Sequence, residues 1–320
     1  MIMCRCIRNL IVVSLLIFSQ TDIILAQIET GELPYSLRHK SVFPDPPMVR
    51  MPEYNYDTLR QKSLSGKHLK KMHYARMINV ELSVKERAVS IPLGNGMLYR
   101  LAVYSKDAHT LSLVFDEFRI PPGAKLFVYN KAKTHLKGAF TFKNNKPSGI
   151  FPIAPVQGEE VIVEYFEPDD KAFEGKLKLN QVGHDFIGIY DHLGKSTEGY
   201  GDSGDCFDKL DINCPVGDNW QTTKHAVVSI VTNGFQCTGT LINNVRSDGT
   251  PYLLTANHCI NTQKGAAGSV FYFNYENPGC NVKLPKPPNN QDLSGSSLIA
   301  TAPGDDQLDF ALVKLSEPIP

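Results

Sequence analysis

Residues 79–168 carry short apolar runs rich in Val, Leu, Ile, Phe and Tyr, at 80–84, 88–91, 97–103, 110–115, 125–129, 138–142 and 160–167. Between them lie Gly94-Asn95-Gly96, Pro121-Pro122-Gly123, Asn144-Asn145 and Pro147-Ser148-Gly149. These residue types supply the fixed or left-handed backbone that turns require. Within 99–104 and 125–129 apolar and polar positions alternate only partly, as in strands with one well-buried face. Many short strands at this spacing predict an antiparallel β-sandwich. A second set follows at 226–231, 237–242, 252–256, 269–275, 297–301 and 310–315. Six strands fit one small β-barrel, whose closure removes exposed edges. No stretch shows a convincing amphipathic helical period and no repeat is evident, so the chain reads as all-β.

The flanking segments differ in character. Arg5 and Arg8 precede an apolar run at 10–18, and a second patch at 23–26 leads to a cleavage position after Ala26. This order predicts a secretory signal peptide over 1–26. Gln20, Thr21 and Asp22 interrupt the run short of the ~20 residues a membrane span needs, so no membrane association is expected after signal removal. Residues 27–78 are first Pro-rich, around Phe43-Pro44-Asp45-Pro46-Pro47, and then basic, with Lys67, Lys70 and Lys71. They predict a solvated, partly disordered leader. Residues 169–200 scatter Lys171, Lys176 and Lys178 among acids and predict a linker. His184 and His192 lie there without an acidic or cysteine cluster to complete a metal site, and read as ordinary linker residues. The expected units are therefore 1–26, 27–78, 79–168, 169–200 and 201–320.

Length and charge narrow the class. The chain has 320 residues, room for two domains, with 42% hydrophobic and 21% charged residues. Its formal net charge of zero gives no basis for binding nucleic acid or an anionic membrane surface. Cys4 and Cys6 would leave with the signal peptide. Cys206, Cys214, Cys237, Cys259 and Cys280 remain, all in the last third. Export to an oxidising compartment, extracellular or periplasmic, predicts disulfides. The spacing lacks the short Cys/His pairs of a zinc site. An odd count leaves one thiol free or paired beyond Pro320. Without an HExxH, P-loop or dinucleotide glycine motif, no metal, nucleotide or nicotinamide cofactor is expected.

The candidate chemistry lies in PYLLTANHCI, 251–260, and LDFALVKL, 308–315. In each, an apolar strand meets one ionisable residue at its end: His258 after the first, Asp309 before the second. A serine hydroxyl needs a base to take its proton, and the base needs a partner that sets its tautomer and steadies the imidazolium. His258 is the candidate base and Asp309 the candidate orienting carboxylate. A lone histidine is more often structural, and Asp309 follows Asp305 and Asp306, so a solvated turn is the competing reading for it. The motifs around both shift the balance. Thr255-Ala256-Asn257-His258-Cys259 after a strand, Cys237 before Thr238-Gly239-Thr240-Leu241-Ile242, and Asp309-Phe310-Ala311-Leu312-Val313 resemble the first half of a trypsin-like, chymotrypsin-fold serine protease. The region is most similar to the lysyl endopeptidase branch of secreted bacterial proteases.

That resemblance implies the first β-barrel of a two-barrel enzyme over 201–320, preceded by a β-rich pro-region, and protein or peptide substrates. It implies a Cys237–Cys259 disulfide that fixes the histidine loop. Gly201-Asp202-Ser203-Gly204-Asp205-Cys206, an acid soon after, and Cys214-Pro215-Val216-Gly217-Asp218 look like the branch's mature N-terminus. This implies Cys214–Cys280, with Cys206 bonded to the second barrel. Asn257 stands where the family usually has alanine. Gly201-Asp202-Ser203-Gly204 copies the tetrapeptide around the family's nucleophile, but it precedes the histidine, whereas the fold's order is His, Asp, Ser; Ser203 is read as a turn residue. No serine motif follows Asp309, so the chain is expected to be an inactive N-terminal fragment of a secreted serine endopeptidase precursor. Two alternatives remain: a non-catalytic secreted β-sandwich and half-barrel that binds a partner, and a hydrolase using Ser203 with His258 and Asp309.

Overall fold

The computed structural model describes residues 32–38, 43–65, 71–192, 211–280, 282, 291–304 and 308–320. The expected signal peptide, Ser203 and Cys206 lie outside the described residues. Eighteen strands are described, and the chain is mostly β, as the alternation predicts.

Eleven strands build the N-terminal half: β1 (Met48–Arg50), β2 (Met72–His73), β3 (Ala75–Ser83), β4 (Val89–Leu93), β5 (Gly96–Tyr104), β6 (Thr110–Arg119), β7 (Lys125–Asn130), β8 (Leu136–Phe140), β9 (Phe151–Gln157), β10 (Glu160–Pro168) and β11 (Lys176–Asp185). One sheet runs β1-β5-β10-β7-β8 with β4 also on β5; a second runs β3-β11-β6-β9. The inward residues of both sheets meet in one core, in which Val103, Leu126, Val161 and Val163 of the first pack with Leu113, Phe115, Phe151 and Leu179 of the second. That packing is a β-sandwich, each sheet shielding the apolar face of the other.

The C-terminal half adds β12 (Val227–Thr232), β13 (Phe235–Ile242), β14 (Tyr252–Thr255), β15 (Val270–Tyr272), β16 (Asp292–Ser294), β17 (Ser296–Ala302) and β18 (Phe310–Leu315). They join in the order β16-β15-β12-β13-β14-β18-β17. The sheet curls into a half-barrel. Val228, Ile230, Leu253, Phe271, Leu293, Ala311 and Val313 therefore share one core although they come from strands up to five places apart in the sheet. Asn233 and Gly234 both have positive φ, 47° and 80°. This two-residue turn matches the right-handed twist of the β12–β13 hairpin.

Several boundaries differ from the sequence reading. The segment expected as a linker over 169–200 contains β11, which sits between β3 and β6. Lys176 and Lys178 point outward while Leu177 and Leu179 are buried, a half-buried alternation that the charges disguised. His184 is buried, accepts or donates to Ser105 Oγ through Nδ1 at 2.7 Å and stacks on Tyr56 at 4.0 Å. The expected leader over 27–78 likewise contributes β1, a helix at Asp57–Leu64 and β2. β9 went unseen because Pro152 and Pro155 lie in it; it forms a sheet edge, where a residue without an N–H is tolerated. A short helix, Gln263–Ala267, with its last three residues buried, is capped by Thr262, whose hydroxyl accepts from the Gly265 N–H.

The halves interlock rather than hang from a connector. β2 pairs with β13, placing His73 opposite Phe235 and Met72 opposite Gln236. Tyr74, Phe186, Ile187 and Tyr190 pack in one cluster with Val231, Val270 and Tyr272. Lys137 and Asp292 form an ion pair at 2.8 Å with side chains 2% and 0% exposed. Lys146 and Glu317 form another at 3.1 Å.

Candidate functional site

β14 and β18 pair antiparallel, and the register ends with Thr255 opposite Ala311. His258 lies three residues past that pair and Asp309 two residues before it, so the ladder itself brings the two ends together. The turn after β14 is held by the Cys259 and Ile260 N–H groups, which donate to the Ala256 carbonyl at 3.1 and 3.2 Å. Thr255 Oγ1 donates to the Thr238 carbonyl at 2.9 Å. Cys237 and Cys259 are disulfide-bonded, fastening the far side of the turn to β13.

The Asp309 carboxylate meets His258 twice. Oδ2 lies 2.7 Å from Nδ1, and Oδ1 accepts the His258 backbone N–H at 3.0 Å. One carboxylate thus fixes both the ring and the backbone that carries it. With Nδ1 committed as donor, Nε2 is the nitrogen suited to accept a proton. The side chains are 26% and 27% exposed, enough for a reactant to approach. Asp309 has φ 34°, in the left-handed region that aspartate enters more readily than most residues. Backbone held off its preferred basin beside a hydrogen-bonded His–Asp pair is a recurrent feature of functional sites.

Two supports were not legible in the sequence. Asn257 donates through Nδ2 to Thr301 Oγ1 at 2.7 Å, and Thr301 donates to the Phe310 carbonyl at 2.9 Å. This relay ties the residue before His258 to the residue after Asp309. Lys71 donates to the His258 carbonyl at 2.6 Å, from a segment expected to be disordered leader. Neither partner is close in sequence, so no local pattern announces it.

Cys237, Cys259 and His258 place ligand-type atoms within 4.8 Å of one another. Both sulfurs are spent in the disulfide, leaving no thiolate for a metal. Cys214 is bonded to Cys280, linking the start of the C-terminal half to the segment after β15. A cleft lined by Tyr56, Arg60, Asp107, His109 and Glu159 opens on the sandwich and shares no residue with the dyad.

Residues 200–320 match the family described as "Lysyl endopeptidase, C-terminal domain". The match supports a lysyl endopeptidase-like relationship. It covers the half-barrel, both disulfides and the His258–Asp309 pair, and links this part of the chain to a protease family. A curated relative, Secreted RxLR effector protein 73 from Plasmopara viticola, is 28% identical over 182 residues, covering 54% of this chain and 44% of that protein. The chain spans less than half the length of that relative. Among the described residues no helix is long and apolar enough to cross a membrane, and the two disulfides fit an oxidising compartment.

Proposed function

We propose that the chain is the N-terminal part of a secreted serine endopeptidase precursor, and that His258 and Asp309 are two members of its Ser-His-Asp triad. The observation that carries this reading is the double contact of one carboxylate with the ring and the backbone of His258. In the proposed reaction His258 Nε2 takes the proton of a serine hydroxyl as its oxygen attacks the scissile carbonyl. The resulting imidazolium, held by Asp309, returns that proton to the leaving amine. Water then repeats the cycle and releases the acyl group. The serine, and the backbone N–H groups that hold the oxyanion, belong to a second barrel following this chain. The β-sandwich acts as the pro-region, and residues 1–26 direct export. Ser203 takes no part in the reaction.

The test is hydrolysis of a mixed peptide library. The 320-residue chain should show no turnover, and a chain extended through a serine-bearing second barrel should show turnover that His258→Ala abolishes. The effector name of the relative favours one other reading, a secreted protein that binds a partner without hydrolysis. Under that reading the extended chain stays inactive.

A further inference from the structure

The cleft on the β-sandwich lies apart from the dyad and is built from separate stretches of chain. The stretch from Glu53 to Arg60 forms one wall and 106–109 another, and Glu159, His184 and Phe186 complete the lining. Its volume is about 790 Å³, in the range of small-molecule sites. An aromatic shelf crosses it: the Tyr56 ring lies 4.0 Å from the His184 ring and 5.8 Å from the Phe186 ring, nearly parallel to both. The polar groups around the shelf are held in place. Glu159 accepts from the Tyr104 hydroxyl and from the Asp107 N–H, each at 3.0 Å, and Arg60 donates to His109 Nε2 at 2.8 Å.

Two atoms of this lining have unmet hydrogen-bonding capacity. Tyr56 Oη and His184 Nε2 are both buried without a partner. His184 is 1% exposed, and its other ring nitrogen is already committed to Ser105 Oγ. A buried polar atom left unpaired costs free energy, and such atoms are uncommon in native structures. Two of them in one cleft call for a ligand that supplies the bonds. The charges say which kind. Lys106 pairs with Glu53 at 3.2 Å, which leaves the carboxylates of Asp57, Asp107 and Glu159 beside the Arg60 guanidinium. A phosphate would meet the carboxylates and an ammonium would meet the guanidinium, and like charges in contact are unfavourable. A hydroxyl both donates and accepts. It suits either sign, the Tyr56 hydroxyl and either tautomer of His184. The apolar face of a sugar ring matches the aromatic shelf.

We propose that this cleft is a binding site for a neutral polyhydroxylated ligand, a sugar unit of a glycan, with Tyr56, Arg60 and Asp107 among its hydrogen-bonding contacts. The site belongs to the sandwich alone. It shares no residue with His258 or Asp309, so its test and that of the dyad succeed or fail separately. Asp107 is presented from left-handed backbone, φ 62°, a conformation that asparagine also enters readily. Its carboxylate can therefore be replaced by an amide without disturbing the turn.

The experiment uses the full chain and saturation-transfer NMR with neutral trisaccharides: maltotriose, cellotriose, mannotriose and triacetylchitotriose. At least one should bind with a Kd below about 1 mM. Arg60→Ala and Asp107→Asn, both at exposed positions, should each weaken that sugar about tenfold. Tyr56→Phe deletes a hydroxyl that has no partner in the free protein. It should also weaken the sugar about tenfold while leaving Tm no lower, whereas a purely structural hydroxyl would move Tm and leave the affinity alone. Failure of every trisaccharide to bind overturns the proposal, as does binding that all three variants leave unchanged. Spermidine bound more tightly than every sugar overturns it in favour of a cationic ligand.

Discussion

Removing the ammonium of Lys137 tests whether the two halves are one cooperative structure. Lys137 on β8 and Asp292 on β16 are 155 positions apart, yet they form a 2.8 Å ion pair with almost no exposure. Taking two charges out of water costs several kcal/mol each, and their attraction in the interior roughly offsets this. The intact pair therefore adds little net stability, but losing one member deprives the other of its opposite charge in a buried place. Lys137→Met keeps most of the aliphatic stem and removes the ammonium, with its charge and its hydrogen-bond donors. It should destabilise the protein by about 3–5 kcal/mol. Asp292→Asn added to it should restore at least about 2 kcal/mol, because the buried negative charge is gone. Urea unfolding of the wild type, both single variants and the double variant gives the four free energies of the cycle. A Lys137→Met loss under about 1 kcal/mol, with additive effects, would refute the reasoning, since that is the range of an exposed pair.

Other outcomes follow from the same contacts. The Cys214–Cys280 disulfide closes a loop with a separation of 66, the Cys237–Cys259 disulfide one of 22. In the chain-entropy model their serine pairs should lose about 4 and about 3 kcal/mol; calorimetry giving the reverse order would contradict this. Burial lowers the His184 pKa to about 4 and the His135 pKa to about 3, the latter also pushed down by Lys137. Both folded values lie below the unfolded one, so their contribution is complete above about pH 6.5 and is lost as pH falls through 4 and 3. For His184 that is ~3 kcal/mol. Urea midpoints should fall between pH 7 and pH 4, less steeply in His184→Gln; identical slopes would exclude His184 as a source. Asp309→Ala removes the acceptor of the His258 N–H, a charge-assisted bond worth about 1.5–3 kcal/mol when fully formed. The His258 amide should exchange at least tenfold faster, and unchanged protection would mean that Asp309 does not hold this turn.

What was legible in the sequence was local. β5, β7, β10, β13 and β18 show themselves because apolar residues run or recur along them and Gly, Asn or Pro breaks the chain at their ends. His258 and Asp309 were conspicuous for the same reason, as ionisable residues at the ends of apolar strands. What stayed hidden depends on partners far along the chain. β16 is Asp292-Leu293-Ser294, polar at two positions and buried at all three. Its carboxylate is matched by Lys137 and its Ser294 hydroxyl by the Pro152 carbonyl. β11 looked like a charged linker because its lysines face outward. Thr301 and Lys71 support His258 through contacts that neighbouring residues do not foretell.

The most direct test of the proposed triad is the peptide hydrolysis rate of a chain extended through a serine-bearing second barrel, measured beside the 320-residue chain and the His258→Ala, Asp309→Asn and Ser203→Ala variants of each. The account predicts turnover only in the extended chain. His258→Ala should abolish it, Asp309→Asn should lower it by about 10⁴-fold as in the trypsin triad, and Ser203→Ala should leave it unchanged. Turnover by the 320-residue chain that disappears in both His258→Ala and Ser203→Ala would contradict the account and make Ser203 the nucleophile.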